Sequence, residues 1–224
     1  MKTPREAKMI VCPYCRDKVA HVDSQRDHVP PRSLFDDPPP DNLITVRCCA
    51  KCHTEHSEGD DILKLLVVGS KLRRAPSEEK RASIERCLGR NPWWGKDYEE
   101  AVVNRRHKII ACAEGLREGV IIEFGASAAK AIDETIRRIA IGLLFHDEPS
   151  YDASSKIAEI IYAPAEKPEE FFYELEKIGP LPHNLKVGEE DFTMSWFFDE
   201  DSRKHCMLYL SFYGAINCVV SFHP

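Results

Sequence analysis

The sequence predicts an α+β protein in three parts: a cysteine-stapled N-terminal module over residues 1–59, a helical connector over 60–120, and an acidic C-terminal part over 121–224 built from a helix and an antiparallel β-meander. Three observations predict it. Cys12-Pro-Tyr-Cys15 and Cys49-Ala-Lys-Cys52 frame the first part as two Cys-x-x-Cys pairs. Ile132, Ile136, Ile139 and Leu143 recur at spacings of four, three and four, one face of a helix over 126–145 that stops before Pro149. The tail turns to β-branched and aromatic runs at 192–198, 206–213 and 215–222, with Gly214 at a tight final hairpin.

The two cysteine pairs carry the strongest chemical signal. A two-residue spacing lets both thiolates of a pair reach one tetrahedral ion, and two pairs complete a four-thiolate shell, the closed coordination of structural zinc. A module of this size has little apolar core, so a metal staple has a physical reason. Cys48 offers an alternative to Cys49 at three-residue spacing from Cys52; the spacing of the first pair favours Cys49. Cys87, Cys112, Cys206 and Cys218 stand in apolar surroundings and read as buried packing. Pro30-Pro31 and Pro38-Pro39-Pro40 fit a fixed loop between two short strands.

Between and after the pairs lie Asp27-His28-Val-Pro-Pro-Arg-Ser33, Asp41-Asn42-Leu-Ile-Thr-Val46 and Cys52-His53-Thr-Glu-His56. Hydrolysis of a phosphodiester needs a proton acceptor for water and positive charge at the phosphate oxygens. His28 suits the first task. Asp27 and His53 suit a divalent ion whose shell is completed by water and substrate. In order and spacing these residues resemble the zinc-bearing form of the HNH endonuclease family (ββα-metal), over about a quarter of the chain.

The resemblance implies a ribbon bearing Asp27-His28, a loop, a second strand near 43–47 and a helix starting near Cys52. It implies His28 as general base, Asn42 as the residue that anchors the loop and orients that base, and Asp27 with His53 as ligands of a catalytic Mg²⁺ or Mn²⁺. Products would carry 5′-phosphate and 3′-hydroxyl ends. Many relatives have Lys where this chain has His56. Arg32, Lys51 and His56 are the expected phosphate contacts, supported by Arg16, Lys18, Arg26 and Arg47, with Lys71, Arg73 and Arg74 nearby.

Charge divides the chain. Residues 1–59 hold 9 Lys+Arg and 9 Asp+Glu, residues 60–120 hold 13 and 10, and residues 121–224 hold 9 and 18. Nucleic acid, DNA before RNA, is therefore expected on the first half, and a protein partner or second copy on the acidic half. Trp93-Trp94 could stack on bases, though turn packing is the commoner role. No apolar run reaches the ~20 residues of a membrane span, and the N-terminus lacks a secretory pattern, so a cytoplasmic location is expected. Two readings stand beside the nuclease: a zinc-stapled nucleic-acid-binding module that does not cut, and a subunit whose acidic half docks on a partner. In the connector, helices are expected over 60–74, with Ile62, Leu65, Leu66 and Gly69 on one side, over 77–88 and over 96–117, and a short strand at 120–124.

Overall fold

The computed structural model describes residues 8–35, 37–55, 57–70, 106–112, 115–121, 126–163, 183–188, 191–199, 204–214 and 216–224, with helical positions 82, 85, 86, 89, 171, 173 and 177. The fold is α+β, with an antiparallel sheet in its C-terminal part. Two short strands, β1 (Met9–Val11) and β2 (Lys18–Ala20), pair antiparallel around the first cysteine pair. A second ribbon pairs β3 (Ser24–His28) with β4 (Thr45–Cys49), placing Asp27 opposite Val46 and His28 opposite Thr45. Helix α1 (Ala50–Glu55) follows at once, then α2 (Ser57–Ser70). The expected strand–loop–strand–helix order is present, with the helix starting two residues before Cys52.

The largest departure lies in the connector. Residues 106–112 and 115–117, expected as helix, belong to a hairpin: β5 (Arg106–Cys112) pairs antiparallel with β6 (Gly115–Ile121), and positions 96–105 of that expected helix lie outside the described residues. Adjacent β-branched pairs, Ile109-Ile110 and Val120-Ile121, favour extended backbone, and Gly115 and Gly119 weaken a helix. The strand expected at 120–124 is the end of β6, and residues 122–125 lie outside the described residues. The helix expected over 77–88 falls mostly outside them too; Ala82, Glu85 and Arg86 are helical, and so is Gly89, expected beyond its end.

Helix α3 (Ala126–Asp147) is the long element of the core. Ile132, Ile136, Ile139 and Leu143 are all buried, as their spacing predicts. On α2 the buried set is Ile62, Leu63, Leu65 and Val67, with Leu66 half-buried. This is wider than one stripe because α2 is covered by both α3 and the single turn at Arg32–Leu34. Behind α3 stands a five-stranded antiparallel sheet in the order β7-β11-β10-β9-β8: β7 (Ile157–Tyr162), β8 (His183–Val187), β9 (Phe192–Phe198), β10 (Cys206–Phe212) and β11 (Ile216–His223). The three expected strands form its centre, and β7 and β8 are additional edges. Alternate residues turn inward, including Phe192, Met194, Trp196, Leu208, Leu210, Val220 and Phe222. Cys206 and Cys218 are buried with them, as expected.

One core joins these parts. Val29, Leu34, Phe35, Ile44 and Val46 of the cysteine-stapled part pack in the same cluster as α2, α3 and the sheet. Helix α3 carries a second stripe, Thr135, Arg138 and Gly142, which meets that part. Gly59 of α2 lies against Thr135, and a Cβ built there would collide with the Thr135 hydroxyl and come within 3.2 Å of the Ala131 carbonyl oxygen. Gly59→Leu should therefore lower unfolding free energy in urea by about 1–3 kcal/mol, the scale of overpacking. Gly89→Ala, at a helical glycine whose Cβ would meet nothing within 4 Å among the described residues, should instead be neutral or stabilising. Equal effects of the two substitutions would refute the close helix crossing. No helix among the described residues is long and apolar enough to cross a membrane.

Candidate metal centre and the adjoining carboxylate

The turn after β1 carries Cys12, Pro13, Tyr14 and Cys15. It is closed by the Cys12 amide donating to the Asp17 carbonyl at 2.9 Å and the Arg16 amide donating to the Cys12 carbonyl at 3.0 Å. Arg16 takes a left-handed conformation, φ 63°, which turns the chain back into β2. The second pair straddles the junction of β4 and α1, where the Cys52 amide donates to Cys49 Sγ at 3.4 Å. All four Sγ atoms, of Cys12, Cys15, Cys49 and Cys52, lie within 4.8 Å of one another. Tetrahedral zinc with bonds of about 2.3 Å sets its sulfurs about 3.8 Å apart. Cys15 Sγ and Cys49 Sγ are separated by 3.8 Å.

The electrostatics fit the same ion. Burial pushes the Cys15 thiol up to about 11 and drives Cys52 higher still. Burial also raises Cys49, but the Cys52 amide and the neighbouring thiols hold it below its ordinary value. Four crowded thiols cannot all ionise without a cation among them. The cluster can hold a metal ion such as zinc, with Cys49 rather than Cys48 as the fourth ligand. Cys48 is fully buried beside the cluster, its thiol pushed up to about 12 by burial and then by Asp27.

Tyr14 ties the cluster to the carboxylate that follows. From inside the first cysteine turn its hydroxyl donates to Asp27 Oδ2 at 2.5 Å. The same oxygen accepts from Arg138 Nη1 at 2.8 Å, and Arg138 Nη2 donates to Asp60 Oδ1 of α2. Asp27 is buried, and the Arg138 side chain is 4% exposed. Burial raises the Tyr14 phenol, and Asp27 raises it further. Burial opposes the charge on Arg138, but Asp60 and Asp27 outweigh it and hold the guanidinium protonated. Asp60 is pushed up to about 6, because burial outweighs its pairing with Arg138.

The other expected residues are placed as follows. His28 is half-buried and closes β3, and His53 is exposed on α1. Asp27, His28 and His53 do not form a three-ligand cluster; among the described residues the four cysteines form one. A two-ligand site from Asp27 and His53 would not need to. Asn42 anchors its loop across the molecule: its side chain donates to the Lys186 carbonyl at 2.8 Å and accepts from the Gly188 amide at 3.1 Å. These bonds run to the end of β8 rather than to His28. Nearby, Tyr213, at φ 55°, donates its hydroxyl to the Leu34 carbonyl at 2.9 Å and holds the preceding turn against the sheet.

Of the expected phosphate contacts, Arg32 and Lys51 are exposed, as are Lys18 and Arg26. Arg32 lies 3.9 Å from the exposed Asp37 carboxylate. Arg16 is committed elsewhere, 3.7 Å from Asp152 and over the Phe145 ring at 5.5 Å. Arg47 donates to Ser24 Oγ at 2.9 Å. His56, Lys71, Arg73, Arg74, Trp93 and Trp94 lie outside the described residues. Sequence reading missed Tyr14, Asp60 and Arg138. The available signal was Arg138 with its neighbour Arg137, two charges between Ile136 and Ile139 of α3, and nothing local tells which of them is buried. Comparison of the chain with family models, with curated proteins and with solved structures finds no match.

Proposed function

We propose that this chain is a metal-dependent HNH-type endonuclease that hydrolyses phosphodiester bonds of nucleic acid, DNA before RNA. The observation that carries the reading is the β3–β4–α1 unit, stapled by four cysteines, with Asp27-His28 ending its first strand and His53 on its helix. His28 accepts the proton of the attacking water. Asp27 and His53 are the protein ligands for Mg²⁺ or Mn²⁺. When bound, that ion supplies positive charge to the phosphate and to the departing oxygen. Asp27 has an oxygen to offer: Oδ2 takes both Tyr14 and Arg138, while Oδ1 accepts no hydrogen bond among the described residues. Helix α1 packs directly on β3 and β4, which brings the element bearing His53 beside the strand bearing Asp27. Arg32 and Lys51 are exposed to meet phosphate, and the cysteine cluster serves as a structural zinc site that holds ribbon and helix together.

Zinc-loaded protein incubated with supercoiled plasmid and with single-stranded DNA and RNA tests this. Cutting should appear with Mg²⁺ or Mn²⁺ and vanish with a chelator that leaves the zinc in place. Absence of divalent-dependent cutting on every substrate would overturn the proposal. A second reading, a zinc-stapled module that binds nucleic acid without cutting, draws on the internal commitment of Asp27 Oδ2 to Tyr14 and Arg138 while Arg32 and Lys51 stay exposed. Salt-dependent binding without cleavage in the same experiment would select it.

A further inference from the structure

The buried contact between α3 and β3 deepens this reading and rests on it. We propose that Arg138 is a positioning residue for Asp27: with Tyr14 it fixes one carboxylate oxygen and so presents the other to the divalent ion. Three observations carry this. Arg138 Nη1 and the Tyr14 hydroxyl converge on the same atom, Oδ2, at 2.8 and 2.5 Å, rather than sharing the two oxygens. The guanidinium is itself aimed, because Asp60 takes Nη2 while Nε is buried without a partner among the described residues. The helix bearing it is seated closely, since a Cβ on Gly142 would come within 2.7 Å of Val29 Cγ1 and 3.1 Å of the Tyr14 hydroxyl. A metal-ligating carboxylate commonly has one oxygen held by a neighbour in this way, and loss of the neighbour weakens the ion's binding 10–100-fold. The cutting site would then depend on residues more than a hundred positions away in the chain, and would be complete only when α2 and α3 are docked on the ribbon.

The test uses the full zinc-loaded chain. Mn²⁺ binding is read by loss of the free-ion electron paramagnetic resonance signal, and cleavage is measured against Mn²⁺ concentration. Arg138→Lys keeps the charge but replaces the two-pronged contact with one point. It should retain zinc and cooperative unfolding, yet weaken Mn²⁺ binding about tenfold or more. Saturating Mn²⁺ should restore most of its turnover, a split that general loosening of the fold would not give. Tyr14→Phe, which keeps the ring and removes the hydroxyl, should move Mn²⁺ affinity the same way by a smaller factor. Arg137→Lys is the control, because that guanidinium bonds the Ser154 and Lys156 carbonyls, and its Mn²⁺ affinity should be unchanged. Wild-type Mn²⁺ affinity in folded Arg138→Lys and Tyr14→Phe would overturn the positioning role while leaving the nuclease reading intact. A wild-type chain that neither binds Mn²⁺ nor cuts would overturn both.

Discussion

Cys15→Ser should release the metal and unravel the segment around β1 and β2. Those strands have three residues each, and the buried cluster beneath them is made of Cys12, Cys48, Cys49 and Cys52, with only Tyr14 and Val19 packed against it among the described residues. Without an ion this region has almost no apolar core, so metal binding and local folding are one equilibrium. In isolated zinc-finger peptides such binding contributes about 10–16 kcal/mol. The loss here should be smaller and local, since Val46 of the adjoining ribbon and Val29 and Leu34 of its loop pack into the main core. Native protein should hold about one tightly bound zinc per chain. After Cys15→Ser, or under a strong chelator, amide exchange should become fast over residues 9–20 and stay slow in the C-terminal sheet. A well-folded wild-type chain without zinc, or unchanged protection over 9–20 in the variant, would refute the staple.

The ease with which the cysteines are read, and the obscurity of the residues around Asp27, have one physical cause. A Cys-x-x-Cys turn is local, so its spacing alone says what it can hold. The α3 stripe and the alternation in β9, β10 and β11 are also local, each set by the period of its own element. The edge strands were harder. β7 and β8 each have one neighbour in the sheet, and β7 puts Ile157 and Ile161 on its exposed face beside Glu159, so its burial alternates but its sequence does not alternate in polarity. The β5–β6 hairpin lacks that local signal, since Ile109-Ile110 and Val120-Ile121 are adjacent apolar pairs and neither strand alternates cleanly in sequence.

The stripe Thr135, Arg138, Gly142 has a helical period too, but its meaning lies entirely in its partners. Thr135 meets Gly59, Arg138 meets Asp27 and Asp60, and Gly142 meets Val29 and Tyr14. None of these is near in sequence, and Arg138 and Asp27 stand 111 positions apart. A buried charge on a core helix is legible as a question; only the packed structure answers it. The ion pair also changes what Asp27 is. A burial of this kind adds little net stability over an apolar equivalent, but removing one partner strands the other, at a cost of about 3–5 kcal/mol. Its conformational role is therefore the more informative one.

That coupling decides which substitution tests the chemistry. Asp27→Ala would remove a proposed ligand and also strip Arg138 of a partner inside the protein, so lost cutting could reflect lost structure. His28→Ala separates the two. His28 is half-buried at the last position of β3, opposite Thr45, and stands outside the Tyr14–Asp27–Arg138–Asp60 chain of contacts. Removing its imidazole leaves the proposed ligands, the cysteine cluster and the core untouched. If it takes the proton from the attacking water, the rate of cutting at saturating Mg²⁺ should fall at least about a hundredfold, the usual scale for a lost general base. Zinc content, unfolding midpoint and affinity for nucleic acid should stay near wild type. His53→Ala, on the exposed face of α1, should also cost no fold but should fail differently, by raising the divalent concentration that cutting requires. The measurement is single-turnover cleavage of both variants across a Mg²⁺ and Mn²⁺ titration, beside a zinc assay. Full activity in zinc-loaded His28→Ala would place the proton acceptor elsewhere, and the roles assigned across the β3–β4–α1 unit would have to be abandoned.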